Sequence, residues 1–159
     1  MTKTLITLCT YNECENIALL IPELHAVAPQ ATILIIDDNS PDGTGQLADQ
    51  LSAADPRVQV LHRAGKQGLG TATLAGFCYA IDNEFEFVVN LDADFSHNPK
   101  YIPELIAQMS QCDVAIASRY VRGGGVAGWT AGRKLMSQSI NFWARLCLGL
   151  SNEDNSGSF

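Results

Sequence analysis

The chain of 159 residues carries 10 Lys and Arg against 17 Asp and Glu, a formal charge of −7. At 47% hydrophobic and 17% charged it is too apolar for an intrinsically disordered chain, and too acidic to wrap the phosphate backbone of nucleic acid. Surface scaling lets a chain of this size bury about two-thirds of its surface, enough for one globular domain over 1–159 and not for two.

In chain order, Leu5–Cys9 reads as a strand. Asn12 then stands as a helix cap, with Glu15 completing a capping box before Ile17, Leu20, Ile21 and Leu24 at helical spacing. Pro22 is expected to break or kink that helix. The continuous run Ile33–Ile36 predicts a strand buried on both faces, and the alternating Val58–Leu61 a more exposed one. Between them Leu47, Leu51 and Ala54 mark a second helix, and Leu74, Phe77, Cys78 and Ile81 a third. Phe87–Leu91 is a fourth strand, residues 101–110 a fourth helix with Pro103 in its first turn, and Val114–Ala117 a fifth strand. Gly123–Gly125 reads as a flexible connection, and a last helix spans about 134–148; Trp129 before it and Phe142 and Trp143 within it fit core or lid packing better than a lipid groove. Strands alternating with helices imply βαβ units, a mostly parallel Rossmann-like sheet with helices on both faces. No apolar run reaches the ~18 residues needed to cross a bilayer. The five cysteines (9, 14, 78, 112 and 147) lack metal-site spacing and read as reduced, mostly buried thiols.

An open α/β sheet binds its ligands beyond the carboxyl ends of the strands. Those ends are rich in polar residues: Thr10–Glu13, Asp37–Gly43, Asp92–His97 and Ser118–Tyr120. Asp92 and Asp94 are two residues apart, so in extended backbone both carboxylates face one spot. That is a hard-oxygen site suited to Mg²⁺ or Mn²⁺, which leave positions open for substrate phosphates. Ser96 is a candidate further ligand, and His97 fits a supporting role better than a direct one. From Asp38, residues 38–49 imitate a calcium loop, but Asp49 stands where such loops need a longer Glu. A carboxylate in Asp37–Gly43 instead suits a base or ribose. Gly68–Leu69–Gly70, after Arg63 and Lys66, opens a helix that either receives an anion or packs closely on the sheet. The third glycine of a dinucleotide fingerprint is absent, Thr73 standing in its place. Arg119 is placed to pair with phosphate, or with Asp92 or Asp94; Arg133 and Lys134 either meet an anionic acceptor or face solvent.

These segments, in this order, resemble the family-2 glycosyltransferases of the GT-A fold, and within them the branch that mannosylates dolichyl phosphate. The carrying stretches are Thr10–Glu13, Ile36–Thr44, Lys66–Ala72, Asp92–His97, Ser118–Tyr120 and Asp154–Phe159. The resemblance implies a metal-dependent inverting enzyme that transfers mannose from GDP-mannose to dolichyl or polyprenyl phosphate, feeding glycan synthesis. It implies that Tyr11, Glu13, Ile36 and Asp38 line the nucleotide site, that Asp92 and Asp94 hold the metal, that Ala93 meets the nucleotide through its backbone, and that Arg119 contacts the donor. Cys9 replaces the proline usual in the family, and Asn39 a common glycine.

The polar stretch 151–159 suggests a loop leading onward, and the family continues past the equivalent of Phe159, so the chain is expected to be truncated and weakly active by itself. The implied acceptor places it at the cytoplasmic face of a membrane, of the endoplasmic reticulum in a eukaryote or the plasma membrane in a bacterium, with association with a membrane or a membrane subunit. The alternatives are a UDP-sugar-dependent polyprenyl-phosphate glycosyltransferase and a non-catalytic nucleotide-binding fragment.

Overall fold

The computed structural model describes residues 3–121, 124–125, 128–152 and 154–155. Four strands, β1 (Thr4–Thr10), β2 (Thr32–Asp37), β3 (Val58–His62) and β4 (Phe87–Asp92), form one parallel sheet in the order β3-β2-β1-β4. The helices are α1 (Cys14–Val27), α2 (Thr44–Ala54), α3 (Leu69–Asp82), α4 (Ile102–Gln108) and α5 (Ala131–Leu148), with a 3₁₀ turn at Pro99–Tyr101 leading into α4.

Side chains alternate across a strand, so each inner strand feeds two cores. Ile6 and Leu8 of β1, Ile33 and Ile35 of β2 and Leu91 of β4 pack with Ile17, Leu20, Ile21 and Leu24 of α1 on one face. Leu5, Leu34 and Ile36 pack with Ala72 and Ala80 of α3 on the other. The four aliphatics of β2 are fully buried, each stabilising the fold by about 1.5–3 kcal/mol. The edge strand β3 is only partly buried, as its alternating sequence requires.

Four sequence expectations are corrected. Helix α1 runs unbroken across Pro22, because Ile17, Leu20, Ile21 and Leu24 are all buried against the sheet and packing outweighs the missing N–H. Val114–Ala117 forms no strand; Val114 is 74% exposed, so its apolar residues find no sheet edge to pair with among the described residues. The cysteines are free but not mostly buried: Cys78, Cys112 and Cys147 are exposed, and Cys9 and Cys14 partly so. Gly124 is no loose connector, since a Cβ there would stand 2.8 Å from the Arg119 carbonyl oxygen; Gly123 lies outside the described residues.

Helix α3 approaches the sheet through Gly76, where a Cβ would lie 2.9 Å from Ile36 Cδ1 and 3.0 Å from Thr7 Cγ2. Gly76→Val forces those side chains apart, and chemical denaturation is expected to show about 1–3 kcal/mol of lost stability; unchanged stability would mean that α3 is not seated this closely.

Candidate functional site

Chain order reverses in the sheet between β1 and β4, because β2 and β3 lie on one side of β1 and β4 on the other. Such a switch point leaves a crevice at the carboxyl ends of the strands. A cavity with about 260 Å³ of internal space opens there, lined by Cys9, Thr10, Tyr11 and Glu13 after β1, Asp38 after β2, Asp92, Ala93 and Asp94 after β4, and Lys66, Leu69 and Ala72 around the start of α3.

The loops bearing these residues hold one another. Asp37, 2% exposed, accepts bonds from the Thr10 hydroxyl at 3.3 Å and from the Ser40 amide and hydroxyl at 3.1 and 2.5 Å. Ser40 Oγ in turn accepts from the Asn12 amide at 3.1 Å. Asn12 is therefore not the cap of α1. It sits in the left-handed region (φ 62°), and the caps come from the next loop: the Glu13 amide donates to Thr44 Oγ1 at 2.9 Å and the Cys14 amide to Asp42 Oδ2 at 3.1 Å. The other Asp42 oxygen accepts from the Thr44 amide and hydroxyl at 3.0 and 2.6 Å. One Asp–Thr pair thus serves the amino ends of both α1 and α2. The same bonds commit Ser40 and Asp42 to the fold, against the calcium-loop pattern.

Asp38 faces the cavity and is bridged by Arg63, with Nη1 at 2.6 Å from Oδ1. The Arg63 fork also donates to Thr71 Oγ1 at 2.7 Å, so it is fixed. Below β4, the Asp92 amide donates to Nδ1 of His97 at 3.0 Å, and His97 Nε2 lies 3.9 Å from Asp92 Oδ2. Burial, helped by the Arg119 charge, lowers the His97 pKa from its ordinary value against the pull of Asp92 and Asp94. A neutral imidazole that braces Asp92 is the supporting role its position suggested. Burial raises the Asp94 carboxyl, but bonds from Ser96 and the nearby His97 outweigh it and keep it below the ordinary carboxylate value.

Asn12, Asn39 (φ 57°) and Phe95 (φ 61°) are left-handed non-glycine residues, one in each of the three acid-bearing loops. Asn tolerates this conformation; Phe95 carries a cost of roughly 1–2 kcal/mol. Gly68 (φ +96°) and Gly70 have no atom within 4 Å of an added Cβ, so close sheet packing does not account for them; Gly76 supplies that contact.

The structure gathers Tyr11, Glu13, Asp38, Asp92, Ala93 and Asp94 on one wall and separates the rest. Ile36 is fully buried in the sheet, with Cδ1 directed at α3, so it backs the site rather than lining it. Ser96 donates its amide to Asp94 Oδ1 at 3.0 Å and does not line the cavity. Arg119 is held by Asp154: Nε and Nη2 donate at 2.7 and 2.6 Å, and the Arg119 amide donates at 3.1 Å. That bond raises the Arg119 pKa further, and the buried Asp154 carboxylate, rather than Asp92 or Asp94, is its partner. The Trp129 ring lies near both Arg119 and Arg133, whose guanidinium carbons are 5.2 and 4.6 Å from its centroid. Lys66 and Leu69 join the lining from the glycine-rich start of α3, the segment whose sequence allowed either an anion or close sheet packing.

Among the described residues, no group of three or more His, Cys, Asp or Glu side chains converges to hold a metal ion. Asp92 and Asp94 present two carboxylates to one cavity, and this donor set fits a Mg²⁺ or Mn²⁺ ion whose shell is completed by water and phosphate.

A family model described as Glycosyl transferase family 2 matches residues 5–158. A polyprenol monophosphomannose synthase of Mycolicibacterium smegmatis is 46% identical over 154 residues, 96% of this chain and 58% of that protein. An undecaprenyl-phosphate mannosyltransferase of Micrococcus luteus is 40% identical over 152 residues, 96% of this chain and 63% of that one. The chain thus spans about three-fifths of the length of these relatives. Among solved structures, S. aureus TarS 1-349 matches with a TM-score of 0.57 at 22% identity, over 69% of this chain and 33% of that one. The mannosyltransferase PcManGT from Pyrobaculum calidifontis, in complex with GDP-Man and Mn²⁺, matches with a TM-score of 0.51 at 21% identity, over 58% of this chain and 27% of that one. Both support the GT-A fold.

Asp42 provides a test of the loop clasp. Slight burial raises its pKa, but bonds from Thr44 and Cys14 outweigh that and hold the carboxyl below its ordinary value. A depressed carboxyl stabilises the fold above its unfolded pKa and loses that contribution as pH falls through the folded one. Asp42→Asn, which removes one of the two accepting oxygens, is expected to cost about 0.5–1 kcal/mol at neutral pH, with the difference from wild type shrinking as pH drops below 3.8. Denaturant titrations at pH 7, 4 and 3 measure this; a difference independent of pH would remove the charged caps from the account.

Proposed function

The chain belongs to glycosyl transferase family 2, and on that premise we propose that it carries the donor-binding part of an enzyme that transfers mannose from GDP-mannose to a polyprenyl phosphate with inversion. The observation that carries this is the convergence of Asp38 with the Asp92 and Asp94 pair on one cavity at the sheet's switch point. The names of the two relatives, one a polyprenol and one an undecaprenyl-phosphate enzyme, support mannose and a lipid phosphate.

In this reading the Asp38 carboxylate, oriented by Arg63, accepts from donor groups of the base or ribose, and Tyr11 and Glu13 flank it. Asp92 and Asp94 would hold the divalent ion, with His97 bonded to the Asp92 backbone amide. The ion, when bound, offsets the charge that builds on the diphosphate as it departs. A lipid phosphate is already ionised at neutral pH, so the nucleophile needs no strong general base, and positioning carries the chemistry. The tightness of Arg119 on Asp154 argues that its contact with the donor, if made, follows rearrangement of that pair.

Membrane contact is part of the same proposal. Helix α5 buries Ser137 and Asn141 while Leu135, Met136, Ile140, Phe142, Trp143 and Leu146 are more than half exposed. It carries Arg133, Lys134 and Arg145 and no acid, in a chain of charge −7. A basic helix with Trp and Phe on its apolar side suits an anionic lipid surface. No described helix is long and apolar enough to cross a membrane.

Calorimetric titration with GDP and with UDP, each with and without Mn²⁺, tests the donor reading. Metal-dependent preference for GDP is expected, and Asp94→Asn is expected to weaken that binding by about 1–3 kcal/mol. A preference for UDP would move the function to another sugar, and Mn²⁺ dependence unchanged in Asp94→Asn would remove this residue from the metal role. For the lipid reading, the chain is expected to sediment with vesicles containing phosphatidylglycerol and to be released by Phe142→Ser with Trp143→Ser. Sedimentation that the double variant leaves intact would exclude α5 as the contact.

A further inference from the structure

The donor cavity poses an electrostatic problem. Its wall carries four acids, Glu13, Asp38, Asp92 and Asp94, and one basic side chain, Lys66. A nucleoside diphosphate is itself strongly anionic, so a wall of this composition repels it unless positive charge is supplied. A metal ion on Asp92 and Asp94 answers for one end of the cavity. At the other end the nearby cation Arg63 is committed, locked between Asp38 Oδ1 and Thr71 Oγ1.

Lys66 is not committed in that way. Its side chain is exposed, and its Nζ lies over the ring of Tyr11, 4.1 Å from the centroid. A cation–π contact at an exposed ring is weak and readily exchanged for a phosphate oxygen. The backbone around it has room: added Cβ atoms at Gly65, Gly68 and Gly70 would meet nothing within 4 Å. Tyr11 lines the same cavity, so the ammonium covers aromatic surface that an entering base would contact.

We propose that Lys66 is the mobile counter-charge of the donor site: its ammonium, which lies over Tyr11, moves to the ligand's phosphates when a nucleoside diphosphate takes its place on the ring. This rests on the nucleotide-sugar reading above. It makes Lys66 a binding residue for the anionic part of the donor and gives Tyr11 two successive partners.

The test is a titration series of guanosine, GMP and GDP against the wild-type chain, Lys66→Gln and Lys66→Arg, at low and high salt. Lys66→Gln is expected to weaken GDP about tenfold, GMP less, and guanosine not at all. Its GDP affinity is also expected to fall less steeply with salt than the wild type's, and Lys66→Arg is expected to stay within about threefold of wild type on GDP. Equal weakening of all three ligands by Lys66→Gln would make the lysine a structural prop and overturn the proposal, as would unchanged GDP binding. A wild-type chain that binds none of the three would overturn the donor-site reading, and this inference with it.

Discussion

The clasp between the loops after β1 and β2 is the interaction on which the site depends. A parallel sheet delivers its strand ends to one edge but leaves each loop to find its own conformation. Here the buried Asp37 carboxylate ties Thr10 to Ser40, Ser40 receives the Asn12 amide, and Asp42 with Thr44 caps both following helices. A buried carboxylate is costly unless hydrogen-bonded, and unpaired amides at a helix start are costly in the same way. Each loop satisfies the other's polar groups, so neither is free to drift. Tyr11, Glu13 and Asp38 inherit their positions from this arrangement.

The cavity then inherits an electrostatic character from its place in the fold. Strand ends at a switch point bring carboxylates together, and the protein offsets only part of that charge internally. Arg63 neutralises Asp38, and a neutral His97 braces Asp92 without cancelling it. Asn12, Asn39 and Phe95 place a left-handed turn in each of the same three loops, and at Phe95 it carries backbone strain, as sites held in place by their surroundings often display. What remains is a wall that accepts an anion only together with cations. That matches the nucleotide-sugar reading and disfavours a simple base-binding pocket, which has no need of Asp92 and Asp94 side by side.

Much of this was legible in the sequence, because β1 to β4 are short, apolar and β-branched, and each is followed by a polar cluster that marks its carboxyl end. The Asp92 and Asp94 pair was legible for the same reason. The cap of α1 was not. Asn12 and Glu15 have capping-box spacing, but the partners that satisfy the helix lie about 30 residues on, in a loop whose contact with β1 exists only once the sheet has formed. Pro22 misled in the opposite direction, since local propensity counted against a helix that tertiary burial sustains. Val114–Ala117 has strand composition, yet composition becomes a strand only beside a partner edge. Lys66 was legible as one of two cations before the glycine-rich start of α3, and its weight in the cavity follows from the acids around it.

Helix α5 shows the same principle inverted. Its sequence reads as a long helix in which Phe142 and Trp143 fit core or lid packing better than a lipid groove. The structure instead turns the polar stripe inward: Tyr120 donates to Ser137 Oγ at 2.8 Å, and Asn141 accepts from the Asn155 amide at 2.6 Å. Such hydrogen bonds are modest contributors to stability, worth about 1 kcal/mol each. Exposing six large apolar side chains costs more than those bonds return, since burial of each would be worth about 1.5–3 kcal/mol. A helix seated on its polar side in spite of that imbalance is intelligible when its apolar side has another surface to meet. Its three cations and lack of acids agree with the proposal that this surface is an anionic lipid one, and Tyr120 ties the helix to the 118–120 segment.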